Sequence, residues 1–308
     1  MRRWIKKKIV WLSVFIFLLL SADSYVLLKA FVLPQAEAVI ATNQVASDTT
    51  TVESSNTTET TSSEPVITAT SYTDENIQIA IDEQVVNDTT VYVVDIQVSD
   101  ASYLKTALAQ NTYGRNIKEA TSTIAKDNQA ILAINGDFYG FRSSGYVIRN
   151  GNLYRQSGEE GQEDLVIDEN GDFSIVDEYD VSAQELLDSG VQQVLSFGPT
   201  LVENGEIVVD TSAEVGQSMS SNPRTAIGQV AENHYVMVVS DGRTDESVGL
   251  SLYQLAEVLQ QAGAKTAYNL DGGGSSTLYF NGNVINTPVG GQGSSERSVS
   301  DIVYFGYE

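Results

Sequence analysis

Asp271 ends a short apolar run, Ala264 to Tyr268 followed by Asn269-Leu270. Three glycines, Gly272, Gly273 and Gly274, come next, and then the hydroxyls Ser275, Ser276 and Thr277. A carboxylate at a strand end, beside backbone free to take φ > 0, suits an anion or a sugar that must approach main-chain N–H groups. Four other stretches carry related chemistry. Asn135-Gly136-Asp137-Phe138-Tyr139-Gly140 offers an amide, a carboxylate and two rings, a mixture suited to sugar hydroxyls and C–H faces. Arg224 opens an apolar run after Pro223, and Arg243 follows another in Ser240-Asp241-Gly242-Arg243. A guanidinium holds phosphate through two parallel hydrogen bonds. Glu296-Arg297 stands just after the glycine-rich Gly290 to Gly293, a loop position that suits the rim of a site. Each residue also has a plainer reading. Asp271 could cap its own turn, the arginines could pair with acids, and the rings could fill a core.

Composition narrows the chemistry. The chain has one histidine, His234, and no cysteine. Thiol catalysis and disulfides are excluded, and a serine–histidine triad or a His-rich zinc site is disfavoured. Proton transfer then falls to carboxylates, with Asp241, Asp271 and Glu296 as candidates. Residues 1 to 40 hold six of the 17 bases and two of the 41 acids, which leaves 11 bases against 39 acids, a net −28, on the rest. Such a surface repels nucleic acid and anionic lipid. A base facing an anionic ligand must therefore be a local exception.

The elements that would position these residues follow from patterning. Five bases, Arg2, Arg3, Lys6, Lys7 and Lys8, precede the apolar run Ile9 to Leu20, and a greasy stretch continues to Leu33-Pro34. A positive start before an apolar run reads as a secretion signal, cleaved near Ala36-Glu37-Ala38, or as a signal anchor, which is favoured. Either places the remainder outside the cytoplasm. Residues 41–65, rich in Thr, Ser, Glu and Asn, read as a flexible tether. A single domain is expected over 66–308. Strands are expected at Asn76 to Ile81 and Val91 to Val98, and hairpins at Asn150-Gly151, Asn170-Gly171, Asn204-Gly205 and Asn281-Gly282. Helices are expected at 116–127, from Ser182 to Gly190, and from Ser251 to Gly263; the last two open with capping boxes. The first and last lead into strands that end in Asn135-Gly136-Asp137 and Asn269-Leu270-Asp271. Strand ends of this kind are where ligands bind in α/β sheets.

These stretches, Asn135 to Tyr139, Arg224-Thr225-Ala226-Ile227-Gly228, Asp241-Gly242-Arg243, Asn269 to Thr277 and Glu296-Arg297, resemble the phosphodiester glycosidase family in type and order. The resemblance covers about residues 90 to 308. Asp137 departs from it, since the family often has a second glycine there. It implies a mixed α/β (α+β) fold with a central sheet, flanking helices and several hairpins. It also implies hydrolysis of a sugar-1-phosphodiester, in bacteria plausibly in a wall or capsular glycopolymer. Asp271 or Asp241 would act as base or nucleophile, with Glu296 as the further acid–base group. Arg224, Arg243 and the amides of Gly272 to Ser275 would hold phosphate. Asn135, Asp137, Asn269, Ser276 and Arg297 complete the expected binding set. No metal or cofactor is required. A non-catalytic wall-polymer binding module and a metal-dependent phosphodiesterase cutting P–O remain alternatives on the residues alone.

Overall fold

The computed structural model describes residues 2–42, 64–209, 220–290 and 295–308. Most of the expected tether and Gly291 to Gly293 lie outside the described residues. The architecture is mixed α+β and dominated by strands. A nine-stranded antiparallel sheet runs in the order Glu206–Ile207, Thr200–Glu203, Thr266–Asn269, Arg224–Ala231, His234–Ser240, Thr90–Val98, Ile77–Val85, Ser71–Thr73 and Val66–Ile67. A five-stranded sheet is built from Asn283–Val284, Leu278–Phe280, Leu132–Asn135, Asp301–Phe305 and Leu104–Leu108. A six-stranded sheet includes Glu163–Ile167, Gln193–Leu195 and the Val147–Arg149/Asn152–Arg155 hairpin.

Alternation along the strands decides what each sheet face meets. In the large sheet Ile227, Met237, Val239 and Tyr268 face a core shared with Leu132, Ile134 and Val303 of the five-stranded sheet and Leu165 and Leu195 of the six-stranded one. Ala226, Val236, Val238 and Ala267 face the other way. There they bury Leu252, Leu255, Ala256 and Leu259 of the helix Leu252–Gln261. That helix and Ala183–Asp188 both open with the expected capping boxes at Ser251 and Ser182. The expected helix at 116–127 is shorter, Thr121–Asp127. Glu119 instead forms a β-bridge to Val299, which holds its backbone extended.

All four Asn-Gly pairs connect adjacent antiparallel strands. Asn150, Asn204 and Asn281 and their glycines have positive φ, the geometry that lets a two-residue turn follow the strand twist. At Asn170-Gly171 only Gly171 does, because Asp168 accepts from the Asn170 and Asp172 N–H groups and builds a longer loop.

The N-terminal helix runs from Arg2 to Phe31. Within it Val14–Phe31 is an 18-residue span apolar enough to cross a membrane, interrupted by Asp23 and Lys29, and no part of the domain covers it. The chain then joins the domain earlier than the expected start at residue 66. Gln35–Ala36 pairs with Gly114–Arg115, and Ala41–Thr42 pairs with Asn152–Leu153 at the edge of the six-stranded sheet.

Arg149 ties two sheets together. Its Nη2 lies 2.8 Å from Asp137 and 2.7 Å from Asp301, and all three side chains are buried. Removing one partner of a buried ion pair strands the others without solvent. Arg149→Met should therefore lower the free energy of unfolding in a urea titration by about 3–5 kcal/mol. A loss below 1 kcal/mol, comparable to a surface pair, would contradict this assignment.

Candidate active site

The strand Thr266–Asn269 belongs to the large sheet and Leu278–Phe280 to the five-stranded sheet, so Leu270 to Thr277 crosses between them. Asn135, at the end of its own strand, fixes this crossing. Its Oδ1 accepts from Thr225 Oγ1 at 2.9 Å and from the Thr277 N–H at 3.3 Å. Its Nδ2 donates to the Asp271 carbonyl at 2.6 Å. Asn135 was expected to bind ligand; it is buried and binds the crossover instead.

The crossover passes three arginines. A β-carbon on Gly273 would fall 3.1 Å from Arg243 Nη2, whereas one on Gly272 would meet the Pro223 carbonyl oxygen at 3.0 Å and one on Gly274 the Gly290 Cα at 2.8 Å. Gly273 also has φ +63°. Gly273 thus lets backbone reach the Arg243 guanidinium, and its two neighbours let backbone approach backbone. The expectation that the amides of Gly272 to Ser275 form an anion nest fails at two of them. The segment Gly273–Ser275 closes into a tight turn, in which the Gly273 N–H donates to the Pro223 carbonyl and the Ser275 N–H to that of Gly272. The Ser276 N–H donates to Gly273 in the same turn.

A cavity of about 240 Å³ opens over this turn. Asp271, Gly272, Gly273, Asn269, Arg224, Arg243 and Arg297 line it with Phe197, Gly198, Pro199, Asn222 and Leu252. Asp271 is its one acid among the described residues. Asp271 Oδ2 accepts from Ser275 Oγ at 2.5 Å and from Arg297 Nη2 at 3.0 Å, and Arg297 also bonds Ser275. Burial pushes the Asp271 carboxyl above its ordinary range, and Ser275 and Arg297 oppose that shift. Arg224 donates from Nε to the Leu250 carbonyl, and Arg243 grips Asn222 Oδ1 from Nε and Nη2. Burial first, and then Arg243 beside it, bring the Arg224 pKa down to about 10. Asn269 donates to the Gly198 carbonyl, while its buried Oδ1 makes no hydrogen bond among the described residues.

Gly274, Ser275 and Ser276, also expected at the site, do not line the cavity. Three expected carboxylates lie elsewhere. The Asp241 carboxylate accepts from the Thr287 N–H at 2.7 Å and from Asn286 Nδ2, which fixes a loop beside the crossover. Glu296 caps the helix Thr121–Asp127 by accepting from the Ser122 N–H and Oγ. Asp137 serves Arg149 and the Ser196 N–H. None of the three lines the cavity. Conversely, Phe197, Asn222 and Leu252 were missed. Ser196-Phe197-Gly198-Pro199 reads as an ordinary turn, and only the pairing of Thr200–Glu203 with Thr266–Asn269 brings it to Asp271. A larger cavity of about 440 Å³, rimmed by Asp100, Asp168, Glu169 and Glu308, contains none of these groups, and its acids would repel an anion.

The comparisons with known proteins place the chain in a family. A family model described as phosphodiester glycosidase matches residues 128–306, more than half the chain. The SPbeta prophage-derived uncharacterized protein YomE of Bacillus subtilis is 30% identical over 202 residues, 63% of this chain and 31% of that protein. Mouse N-acetylglucosamine-1-phosphodiester alpha-N-acetylglucosaminidase is 32% identical over 174 residues, 51% of this chain and 33% of that protein. The chain spans about a third of the length of these relatives. In structure the chain is similar to the zebrafish N-acetylglucosamine-1-phosphodiester alpha-N-acetylglucosaminidase catalytic domain, auto-inhibited by pro-peptide. The TM-score is 0.60 at 23% identity, over 75% of this chain and 83% of that one. A hypothetical protein from Synechocystis gives a TM-score of 0.54 at 17% identity, over 75% and 62%. The chain belongs to the phosphodiester glycosidase family.

The Asp271–Arg297 pair makes a prediction about pH. An active carboxylate gives a rate that rises with pH through its pKa, here above the ordinary aspartate value. Arg297 favours the ionised form, so Arg297→Met should move the acid limb of kcat/KM to higher pH. An acid limb that stays in place would separate Arg297 from Asp271. Asp271→Asn should lower turnover about a hundredfold or more with the melting temperature little changed; near-normal turnover would remove Asp271 from catalysis.

Proposed function

We propose that this phosphodiester glycosidase family member hydrolyses a sugar-1-phosphodiester at the glycosidic C–O bond, releasing the sugar and a phosphomonoester. One observation carries the reading: among the described residues a single carboxylate, Asp271, shares its cavity with Arg224, Arg243 and Arg297. Most glycosidases pair two carboxylates because a neutral leaving alcohol needs a proton. A phosphate leaves as a stable anion and needs little or none. What must be stabilised is positive charge developing on the sugar ring and negative charge on the departing phosphate.

Asp271 meets the first need, as nucleophile or as base to a water. The arginines meet the second. Arg224 and Arg243 are close enough for one charge to depress the other's pKa, and a phosphate between them relieves that repulsion. Their backbone and Asn222 partners hold the guanidinium planes before substrate arrives, the preorganisation that electrostatic catalysis requires. Phe197 offers an apolar face to the sugar ring, and Asn269 Oδ1 an acceptor for a hydroxyl.

The uncovered apolar helix behind five bases supports an anchor with the domain outside the cytoplasm. There the substrate class is a wall or capsular glycopolymer with phosphodiester-linked sugars. The mouse relative, an N-acetylglucosamine-1-phosphodiester alpha-N-acetylglucosaminidase, acts on the same bond type.

Arg243→Lys tests the phosphate role, because an ammonium replaces a bidentate guanidinium poorly. It should lower kcat/KM on a sugar-1-phosphodiester roughly tenfold to a hundredfold, matching about 1.5–3 kcal/mol for a hydrogen bond to a charged group. Any action on a neutral aryl glycoside of the same sugar should be spared. If both substrates fall together, Arg243 only supports the fold.

A further inference from the structure

The Thr/Ser-rich segment after residue 42 looks like a tether that holds the domain away from a membrane. Its position in the fold denies it that role. Ala41–Thr42 on one side and Val66–Ile67 on the other are both strands of the domain. The length between them therefore cannot set the distance from helix to domain. That distance is set by residues 32–34.

This short link is itself held. Asn116 Nδ2 donates to the carbonyls of Ala30, 3.4 Å away in the last turn of the helix, and Leu33, at 3.3 Å. Gln35 Nε2 reaches back to the Lys29 carbonyl at 2.6 Å. The Glu37 N–H donates to Tyr113 and the Ile40 N–H to Leu153. Gly114 is needed for this approach, since a β-carbon there would run into the Gln35 carbonyl. Residues 34–42 are thus a strap laced onto the domain directly after the helix.

Val14–Phe31 is about 27 Å long at 1.5 Å per residue, close to the roughly 30 Å of a bilayer core. The residues around its end then fall in the headgroup layer. Their character fits. Phe31, Val32, Leu33, Val39, Ile40 and Phe141, on the helix end, the strap and the loop beside Asn116, are exposed apolar side chains. Lys118 places its ammonium 5.6 Å from the centre of the Phe141 ring, and the Asn116 N–H donates to the Gly140 carbonyl, which ties the two loops together. Lys29, Arg115 and Lys118 supply cations here against Glu37 and Glu119, in a chain otherwise heavily acidic. Apolar rings beneath lysines are the composition that settles at a membrane interface.

We infer that the strap seats the domain directly on the headgroup layer of the bilayer its helix spans, with Lys118 and Phe141 in contact with lipid. The inference rests on the anchor reading above. It makes the reach of the active site a fixed property of the fold rather than of a flexible tether.

The absence of cysteine makes the test clean. Lys118→Cys and Phe141→Cys of the full chain, each carrying a fluorophore, are placed in phosphatidylglycerol/phosphatidylcholine vesicles containing lipid with a nitroxide headgroup. Emission of Trp4 and Trp11, the chain's two tryptophans and both in the helix, reports insertion separately. The label at both positions should lose most of its emission to the nitroxide. A Gly/Ser spacer of roughly twenty residues, spanning about 25 Å, should restore that emission when inserted between Leu33 and Pro34. The same spacer after Ser55 should change nothing. Unquenched labels with blue-shifted tryptophans would overturn the seat and leave the anchor standing. Quenching that survives the first spacer, or yields to the second, would overturn the strap. Tryptophans that stay in water would overturn the anchor, and the seat with it.

Discussion

The buried carboxamide of Asn135 holds the site together. It accepts from Thr225 in the large sheet and from Thr277 at the far end of the crossover, and it donates to the carbonyl of Asp271 at the near end. Three segments far apart in sequence thereby share one side chain. A buried amide satisfied on both its oxygen and its nitrogen is strongly directional, because leaving any of these groups unbonded costs about 1–3 kcal/mol. The Asp271 carboxylate is consequently presented from a backbone fixed on both sides. The Leu270 N–H adds to this by donating to the Thr225 carbonyl.

The chemistry built on that frame is a solution to a charge problem. The chain is strongly acidic, so its mean field opposes a phosphodiester. Three guanidinium groups on one cavity reverse the sign locally. At Gly273 a β-carbon would press on Arg243, while at Gly272 and Gly274 it would press on the backbone of Pro223 and Gly290. The run of three glycines thus serves the close packing of the crossover against both side chain and backbone. Arg297 stands between the carboxylate and the other two guanidinium groups, since it bonds Asp271 and lines the same cavity as Arg224 and Arg243.

Much of this was legible from spacing. The capping boxes at Ser182 and Ser251 and the hairpins at Asn150, Asn204 and Asn281 depend on local chemistry, and each stands where the sequence indicates. That Asp271, Arg224, Arg243 and Arg297 border one cavity follows positions that stood out in the sequence, Arg224 and Arg243 as rare bases at strand ends of an acidic chain and Arg297 in a loop after the glycine-rich stretch. The uses of Asp241, Glu296 and Asp137 were not. Each carboxylate is committed to a donor distant in sequence, and only sheet pairing reveals which acid is engaged and which faces a cavity. The strap was hidden for the same reason. A two-residue ladder between Gln35–Ala36 and Gly114–Arg115 carries no periodicity to read.

The claim that the C–O bond breaks is tested most directly by hydrolysing a sugar-1-phosphodiester in water enriched in oxygen-18. Attack at the sugar carbon beside Asp271, with phosphate departing onto the arginines, places the heavy oxygen on the released sugar and leaves the phosphomonoester unlabelled. Heavy oxygen in the phosphomonoester would show that the P–O bond is cut and would contradict this account.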